Sequence, residues 1–153
     1  MTEFGRILED LNEAGVRYVL IGGIALIRHG VVRATRDVDA VFDPGMDNVR
    51  RIQQLVDAWA ATRPDGSSLR ADDISPERSI HLATPLGELD LVSEKVAGPA
   101  FEELLERADV KKVDGVEAPI CSLEDLVAMK RAVGRDRDLA DLAELEAAHG
   151  KLP

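Results

Sequence analysis

The stretch VLIGGIALIRHGVVRATRDVDAVFD, from Val19 to Asp43, carries the signals that decide the fold of this chain. An apolar run ends in Gly22-Gly23, an arginine-rich segment follows, and Asp37 and Asp39 then stand one residue apart in a second apolar run. Because alternate side chains of a strand share a face, the two aspartates are predicted to project together. Adjacent carboxylates raise each other's pKa unless a cation lies between them. The pattern therefore indicates a metal site, and a solvated edge strand is the alternative.

Composition bounds the class of protein. The chain has 153 residues, of which 45% are apolar, so we expect one domain over residues 1–153 with a helical C-terminal part at about 122–150. A net charge of −10 argues against broad non-specific binding to nucleic acid. A lone cysteine, Cys121, leaves no internal disulfide framework, and we expect a cytoplasmic protein with no membrane partner.

Hydrophobic periodicity and turn residues predict an α+β fold, in which helices flank a small mixed sheet. Five of the predicted helices are Phe4–Asn12, Ile24–His29, Asp47–Ala61, Phe101–Arg107 and Arg135–His149. A sixth is predicted to begin at a capping box of Ser122 and Asp125 and to run to Val133. The predicted strands are Arg17–Ile21, Asp37–Phe42, Ser79–Ala83, Glu88–Val92, Asp109–Val113 and Val116–Ile120. Residues 62–78 are predicted to form a polar loop. In the last helix Leu139, Leu142 and Leu145 are expected to face the core.

A third acid stands in a similar setting, because Asp90 lies in the short apolar strand Leu89-Asp90-Leu91. Glu88 shares its face, but its place at a turn makes it a weaker candidate ligand. Two or three carboxylates suit a hard divalent ion such as Mg²⁺. The glycine pair where a strand meets a helix presents backbone N–H groups that attract phosphate. From Ala14 to Arg36 there is no acidic residue, which indicates a locally positive segment.

These motifs, in the order Gly22-Gly23, Asp37-Val38-Asp39 and Leu89-Asp90-Leu91, resemble the signature of the nucleotidyltransferase superfamily with the DNA polymerase β-like fold. The context GGIALIRHGVVRATRDVD and the tail LEDLVAMKRAVGRDRDLADLAEL resemble the branch of AbiEii and MenT-type toxins and related short bacterial proteins. The resemblance runs from about Val19 to Leu145. It departs at Gly23, where many relatives carry a serine.

The resemblance implies metal-dependent transfer of an NMP from an NTP to a hydroxyl group. Asp37, Asp39 and Asp90 would be the catalytic and metal-binding residues, and the ions would be Mg²⁺ or Mn²⁺. Asp90 would also accept the proton of the attacking hydroxyl. Thr35, two residues before Asp37, is placed to present a hydroxyl on the same face.

The resemblance also implies a set of nucleotide-binding residues. Gly22 and Gly23 would approach the triphosphate through their backbone, and Lys130 would supply positive charge. Arg36 and Arg33 are weaker candidates for the same role. For Lys130 the alternative is an ordinary solvated lysine on a helix.

The acceptor is left open among RNA, including tRNA, a small molecule and a protein side chain. A homodimer or a cognate toxin–antitoxin partner is compatible with the sequence. The principal alternative is a catalytically weak nucleotidyltransferase-like antitoxin or regulatory module that acts through a protein partner. A small acidic structural domain whose acids coincide by chance is a third hypothesis. Metal-dependent NTP binding that Asp39→Ala abolishes would favour the enzyme.

Overall fold

A six-stranded mixed sheet lies at the centre of the computed structural model, which describes residues 3–153. The strands are β1 (Tyr18–Ile21), β2 (Asp37–Phe42), β3 (Ile80–Thr84), β4 (Gly87–Val92), β5 (Asp109–Val113) and β6 (Val116–Ile120). Their order across the sheet is β3-β4-β2-β1-β6-β5. Chain neighbours β1/β2, β3/β4 and β5/β6 pair antiparallel, whereas β2/β4 and β1/β6 pair parallel. The sheet is therefore mixed, as expected.

The helices are α1 (Glu3–Glu13), α2 (Gly22–Arg28), α3 (Met46–Ala58), α4 (Glu94–Ala97), α5 (Phe101–Arg107), α6 (Leu123–Val133) and α7 (Asp136–His149). Together with the sheet they confirm the predicted α+β architecture. Among the described residues, no helix is long and apolar enough to cross a membrane.

The strands at the centre of the sheet have two different faces. One face of β2 and β4 is fully buried and is formed by Val38, Ala40, Leu89 and Leu91. Helix α1 contacts both strands. Asp37, Asp39 and Asp90 alternate with these residues and point to the opposite face. The apolar face anchors the strands in the core, which leaves the other face free to carry acids.

The sequence prediction placed the start of α2 two residues too late and missed α4. Helix α2 begins at Gly22 and not at Ile24, so the glycine pair is the first turn of the helix and not a loop before it. Helix α4 was not predicted, because four residues are too few to show a hydrophobic period. Ser93 begins it by accepting a hydrogen bond from the Lys95 backbone N–H at 3.3 Å.

The prediction that Leu139 faces the core was wrong, since this side chain is 55% exposed, whereas Leu145 is buried. The inward face of α7 near its start is occupied by Asp138 and Asp141, two buried acids that pair with cations. The predicted loop 62–78 also contains a bridge between Thr62 and Ala83 and a short 3₁₀ turn.

The structure confirms one of the two hydrogen bonds expected of the capping box at the start of α6, the one that Ser122 accepts. Ser122 Oγ accepts a hydrogen bond from the Asp125 backbone N–H at 3.0 Å. The Asp125 carboxylate instead accepts two hydrogen bonds from the Arg107 guanidinium, both at 2.9 Å. Asp125 therefore joins α5 to α6 through a bidentate ion pair, which is stronger than the single hydrogen bond of a cap.

A buried asparagine joins the two strands of the central hairpin. Asn48, on α3, is 2% exposed. Its Oδ1 accepts a hydrogen bond from the Arg17 backbone N–H at 2.7 Å, and its Nδ2 donates to the carbonyl oxygens of Arg17 at 3.1 Å and Asp43 at 2.9 Å. The side chain thus joins the segments just before β1 and just after β2, beside the backbone hydrogen bond that the Asp43 N–H donates to the Arg17 carbonyl oxygen at 3.2 Å.

We expect Asn48→Ala to lower the free energy of unfolding by about 2–4 kcal/mol, because it leaves one N–H and two carbonyl groups without this partner. Urea denaturation of both proteins measures the difference. Gln54→Ala, an exposed position on the same helix, is the control and should change stability by less than about 0.5 kcal/mol. An Asn48→Ala variant as stable as the control would contradict the assigned role.

Candidate active site

The residues predicted for catalysis and nucleotide binding come together in one cleft of about 640 Å³. All eight of them line it: Gly22, Gly23, Arg33, Arg36, Asp37, Asp39, Asp90 and Lys130. The sheet contributes the carboxylates, α2 contributes the glycines, and α6 and α7 form the facing wall. A cleft of this volume is of the size that holds small molecules and nucleotides.

The three aspartates form one cluster because of the strand register. Asp39 on β2 lies directly opposite Asp90 on β4, and Asp37 lies opposite Glu88. Neighbouring strands are about 4.8 Å apart, so these side chains are close neighbours on one face. Burial, with the charges of Asp90 and Asp37 adding to it, raises the pKa of Asp39 to about 6. Burial also raises the pKa of Asp90. The cluster is therefore costly to ionise without a cation.

The glycine pair makes room for two side chains of the site. Gly22 has φ +63°, and a Cβ built on it would lie 2.2 Å from Asp39 Oδ2. A Cβ built on Gly23 would lie 2.6 Å from Thr35 Oγ1. The Gly23 backbone N–H also donates a hydrogen bond to Asp39, which lowers the pKa of that carboxyl and opposes the effect of burial. Thr35 lines the cleft, so no space is left for a serine at position 23.

The facing wall holds its cations with buried acids. Lys130 Nζ lies 2.9 Å from Asp141 Oδ2 and 3.3 Å from Asp138 Oδ1, and its side chain is only 15% exposed. Arg33 Nη1 donates to Asp141 Oδ1 at 2.7 Å. The alternative of a solvated Lys130 is therefore wrong, because its ammonium group is enclosed by two carboxylates.

Further arginines complete this wall. Arg135 Nε donates to Asp138 Oδ2 at 2.7 Å, and hydrogen bonds from the Arg135 guanidinium and backbone, with Lys130 adding to them, lower the pKa of Asp138 to about 2. Arg36 and Arg137 line the cleft, and neither has an ion-pair partner within residues 3–153. Lys130, Arg33, Arg135 and Arg137 thus stand against two carboxylates on this wall, so it is positive where the sheet face is negative.

Sequence reasoning missed His81 as a residue of the cleft. His81, on β3, lies opposite Asp90, with its Nδ1 3.7 Å from Asp90 Oδ1. The predicted hairpin already fixed this register, because pairing Thr84 with Gly87 also pairs His81 with Asp90. Asp138 and Asp141 belong to the tail segment whose resemblance implies packing near the active site, and they stand three apart on a helix, a spacing that places both on one face.

The chain matches, over residues 3–149, the model of a family described as "Nucleotidyltransferase of unknown function" (DUF6036). The chain belongs to this nucleotidyltransferase family. The expected superfamily and enzyme class are confirmed at that level, whereas the narrower AbiEii/MenT branch stays a prediction. No curated protein matches this nucleotidyltransferase.

Solved structures share the fold of this nucleotidyltransferase at low identity. The lincosamide antibiotic adenylyltransferase LnuA, with lincomycin bound, is 16% identical with a TM-score of 0.66, over 95% of this chain and 96% of that one. An antigenic nucleotidyltransferase-like protein from Paracoccidioides brasiliensis is 16% identical with a TM-score of 0.63, over 94% and 72%. The antibiotic-resistance factor ANT(2'')-Ia is 12% identical with a TM-score of 0.62, over 97% and 83%. The predicted fold is thereby confirmed.

We expect Gly23→Ala to lower the free energy of unfolding by about 1–3 kcal/mol, although alanine normally favours a helix, because its methyl group collides with Thr35. Chemical denaturation of a double-mutant cycle tests this cause. Thr35→Gly should recover part of the loss in the Gly23→Ala background, with a coupling energy of at least about 0.5 kcal/mol. Strictly additive losses would show that the two residues do not compete for the same space.

We expect Asp39→Asn to stabilise the metal-free protein at pH 7. The pKa of Asp39 is raised from 3.8 in the unfolded chain to about 6 in the folded protein. Between pH 4 and pH 6 the folded state therefore keeps a proton that the unfolded state has lost, and the free energy of unfolding falls as the pH rises. The resulting cost, on the order of 3 kcal/mol, is absent at low pH, grows as the pH rises through this window and is full above pH 6.

Thermal unfolding between pH 4 and 8, in a chelator, measures this difference. Asp39→Asn should flatten the pH dependence and raise the Tm at pH 7. Asp109→Asn, an exposed acid on the edge strand β5, is the matched control and should follow the wild type. A lower Tm for Asp39→Asn at pH 7 would show that the cost of burying the charged Asp39 carboxylate does not govern stability.

Proposed function

We propose that this protein transfers an NMP from an NTP to a hydroxyl group of an acceptor, with Asp37, Asp39 and Asp90 as its catalytic and metal-binding residues. The observation that carries the proposal is the pairing of two walls across one cleft. Clustered carboxylates form one wall, and the basic residues around Asp138 and Asp141 form the other. An NTP carries both a polyanion and a bound cation, so it is complementary to the two walls at once.

The donor set fits hard divalent ions. Carboxylate oxygens are good ligands for Mg²⁺ and Mn²⁺, and Asp37, Asp39 and Asp90 present their carboxylates on one face of the sheet. Asp37 and Asp39 would hold the ion on the triphosphate, and Asp90 would join them around a second ion. When bound, such ions supply charge neutralisation for the entering and leaving oxygens of an in-line displacement.

The protein's own residues would account for the movement of the proton. The acceptor oxygen forms a bond to the α-phosphorus, the bond from that phosphorus to the bridging oxygen breaks, and pyrophosphate leaves. The hydroxyl proton passes to Asp90, whose raised pKa makes it a better proton acceptor than an ordinary aspartate. Asp90 therefore has a role beyond that of a ligand.

The triphosphate would be held by the cationic wall and by the start of α2. Arg36 has no ion-pair partner within the described part of the chain, so its full charge is available to a phosphate. Lys130 and Arg33 share their charge with Asp141 and would act as oriented donors at the rim of the triphosphate site. Gly22 and Gly23 would approach the phosphates through their backbone.

Among acceptors we favour a small molecule over RNA. The chain's net charge of −10 repels a polyanion at long range, and the cleft of about 640 Å³ that its basic residues line has the size of a small-molecule site. We also propose that residues 1–153 act as one domain, because α6 and α7 supply a wall of the site. Membership of the AbiEii/MenT branch, a cognate toxin–antitoxin partner, a homodimer and a cytoplasmic location remain predictions.

The test is transfer of label from each α-labelled NTP, in Mg²⁺ or Mn²⁺, to a small-molecule extract in one arm and to bacterial RNA in the other. We expect metal-dependent label on the small-molecule fraction. Asp37→Asn/Asp39→Asn should lower the rate by about 100-fold or more, because it removes most of the carboxylate charge at the site. Asp109→Asn, the exposed control, should retain the wild-type rate.

Each remaining outcome has a definite meaning. Label on RNA alone would keep the enzyme and replace the acceptor. A wild-type protein that neither transfers label nor binds any NTP in calorimetry would contradict the proposed function and favour the regulatory module. Equal rates for the double variant and the control would show that the aspartates do not carry the chemistry.

A further inference from the structure

A histidine stands among the carboxylates of the sheet face. His81 Nε2 lies 3.5 Å from Glu88 Oε2, and its Nδ1 lies 3.7 Å from Asp90 Oδ1. Both distances exceed the roughly 2.9–3.0 Å of an ordinary N–H···O hydrogen bond. The ring is therefore placed between two acids without being bound tightly to either.

The acids around this ring have no other cationic neighbour. No lysine or arginine within residues 3–153 forms an ion pair with Asp37, Asp39, Glu88 or Asp90. All the lysine and arginine ion pairs of the cleft lie on the facing wall, around Asp138 and Asp141. Four carboxylates and one imidazole thus form a separate group, whose charge is unbalanced in the absence of a bound cation.

The geometry of this group suits a metal ion. Asp37, His81 and Glu88 each offer one ligand atom, and these three atoms lie within 4.8 Å of one another. Their strands β2, β3 and β4 are hydrogen-bonded neighbours, with Asp37 directly opposite Glu88. The three donors are therefore held by sheet pairing and not by a loop, so they keep their relative positions.

The nitrogen donor decides which metal this group prefers. Mg²⁺ takes oxygen ligands in a near-ideal octahedron, whereas imidazole is a good ligand for first-row transition metals. We propose that Asp37, His81 and Glu88 form a binding site for a divalent transition-metal ion, which the protein binds in preference to Mg²⁺. The inference rests on the proposed function in one respect, because Asp37 is shared with the carboxylate cluster to which we assign the catalytic metals.

The direct test is pulsed electron paramagnetic resonance of the full-length protein with substoichiometric Mn²⁺ and no nucleotide. A nitrogen that is bonded to Mn²⁺ modulates the echo, so the wild type should show ¹⁴N coupling and His81→Gln should not. His149→Gln is the matched control, since His149 contacts the His29 carbonyl far from the acids and should leave the coupling unchanged. Thermal unfolding of each variant checks that it is folded.

Calorimetric titration gives a second readout. We expect His81→Gln to weaken Mn²⁺ binding by about tenfold or more, with a much smaller effect on Mg²⁺, since only the nitrogen ligand is lost. Glu88→Gln removes an oxygen donor and should weaken both ions. A His81→Gln variant with unchanged Mn²⁺ affinity would overturn the inference, as would wild-type protein that binds Mn²⁺ without nitrogen coupling or binds no Mn²⁺.

The outcomes separate this inference from the proposed function. Nitrogen coupling in a protein that transfers no label from any NTP would support the site and contradict the function. Label transfer in Mg²⁺ that His81→Gln leaves intact, together with no nitrogen coupling, would support the function and overturn the site.

Discussion

Burial of the neighbouring carboxylates of Asp39 and Asp90 is the constraint on which the rest of the site depends. The parallel pairing of β2 and β4 places them directly opposite each other, and burial removes the water that would screen them. The fold tolerates this cost because the opposite face of the same strands is fully buried against the core. One face of β2 and β4 thus stabilises the fold, and the other face carries the acids of the site.

The local conformation of the chain before β2 follows from the same constraint. Asp39 occupies the space beside Gly22 that a side chain would take, and Thr35 does the same beside Gly23. The first turn of α2 can therefore pack directly against the acid strand, and the Gly23 N–H is aimed at the Asp39 carboxylate. The glycine pair, predicted from the sequence to bind phosphate, is therefore also needed for packing, because a side chain at Gly22 would collide with Asp39.

Local patterns predicted most of the fold and the acids of the site. Asp37–Phe42 was recognisable because apolar and acidic residues alternate with a period of two, and the sheet then had to place both acids on one face. The glycine contacts could not be read from sequence, because they depend on a three-dimensional approach of two segments. Helix α4 was too short to show a period, and ion pairing at Asp138 displaced the apolar residue expected to face inward, Leu139. His81 could have been found by extending the hairpin register, a step that needs no structure beyond the predicted turn.

The two buried acids of α7 explain how an acidic chain keeps a positive wall. Asp138 and Asp141 offset part of the charge of Lys130, Arg33 and Arg135, and they fix these long side chains in place, which lowers the entropy that a ligand would have to remove. Cations that are already ordered bind a phosphate at a smaller conformational cost than free ones. Because the chain carries a net charge of −10, the rest of the molecule opposes this attraction at long range, and the basic residues attract an anion most strongly at short range. The attraction is therefore strongest for an anion that lies against this wall, as the triphosphate of the NTP that we propose would.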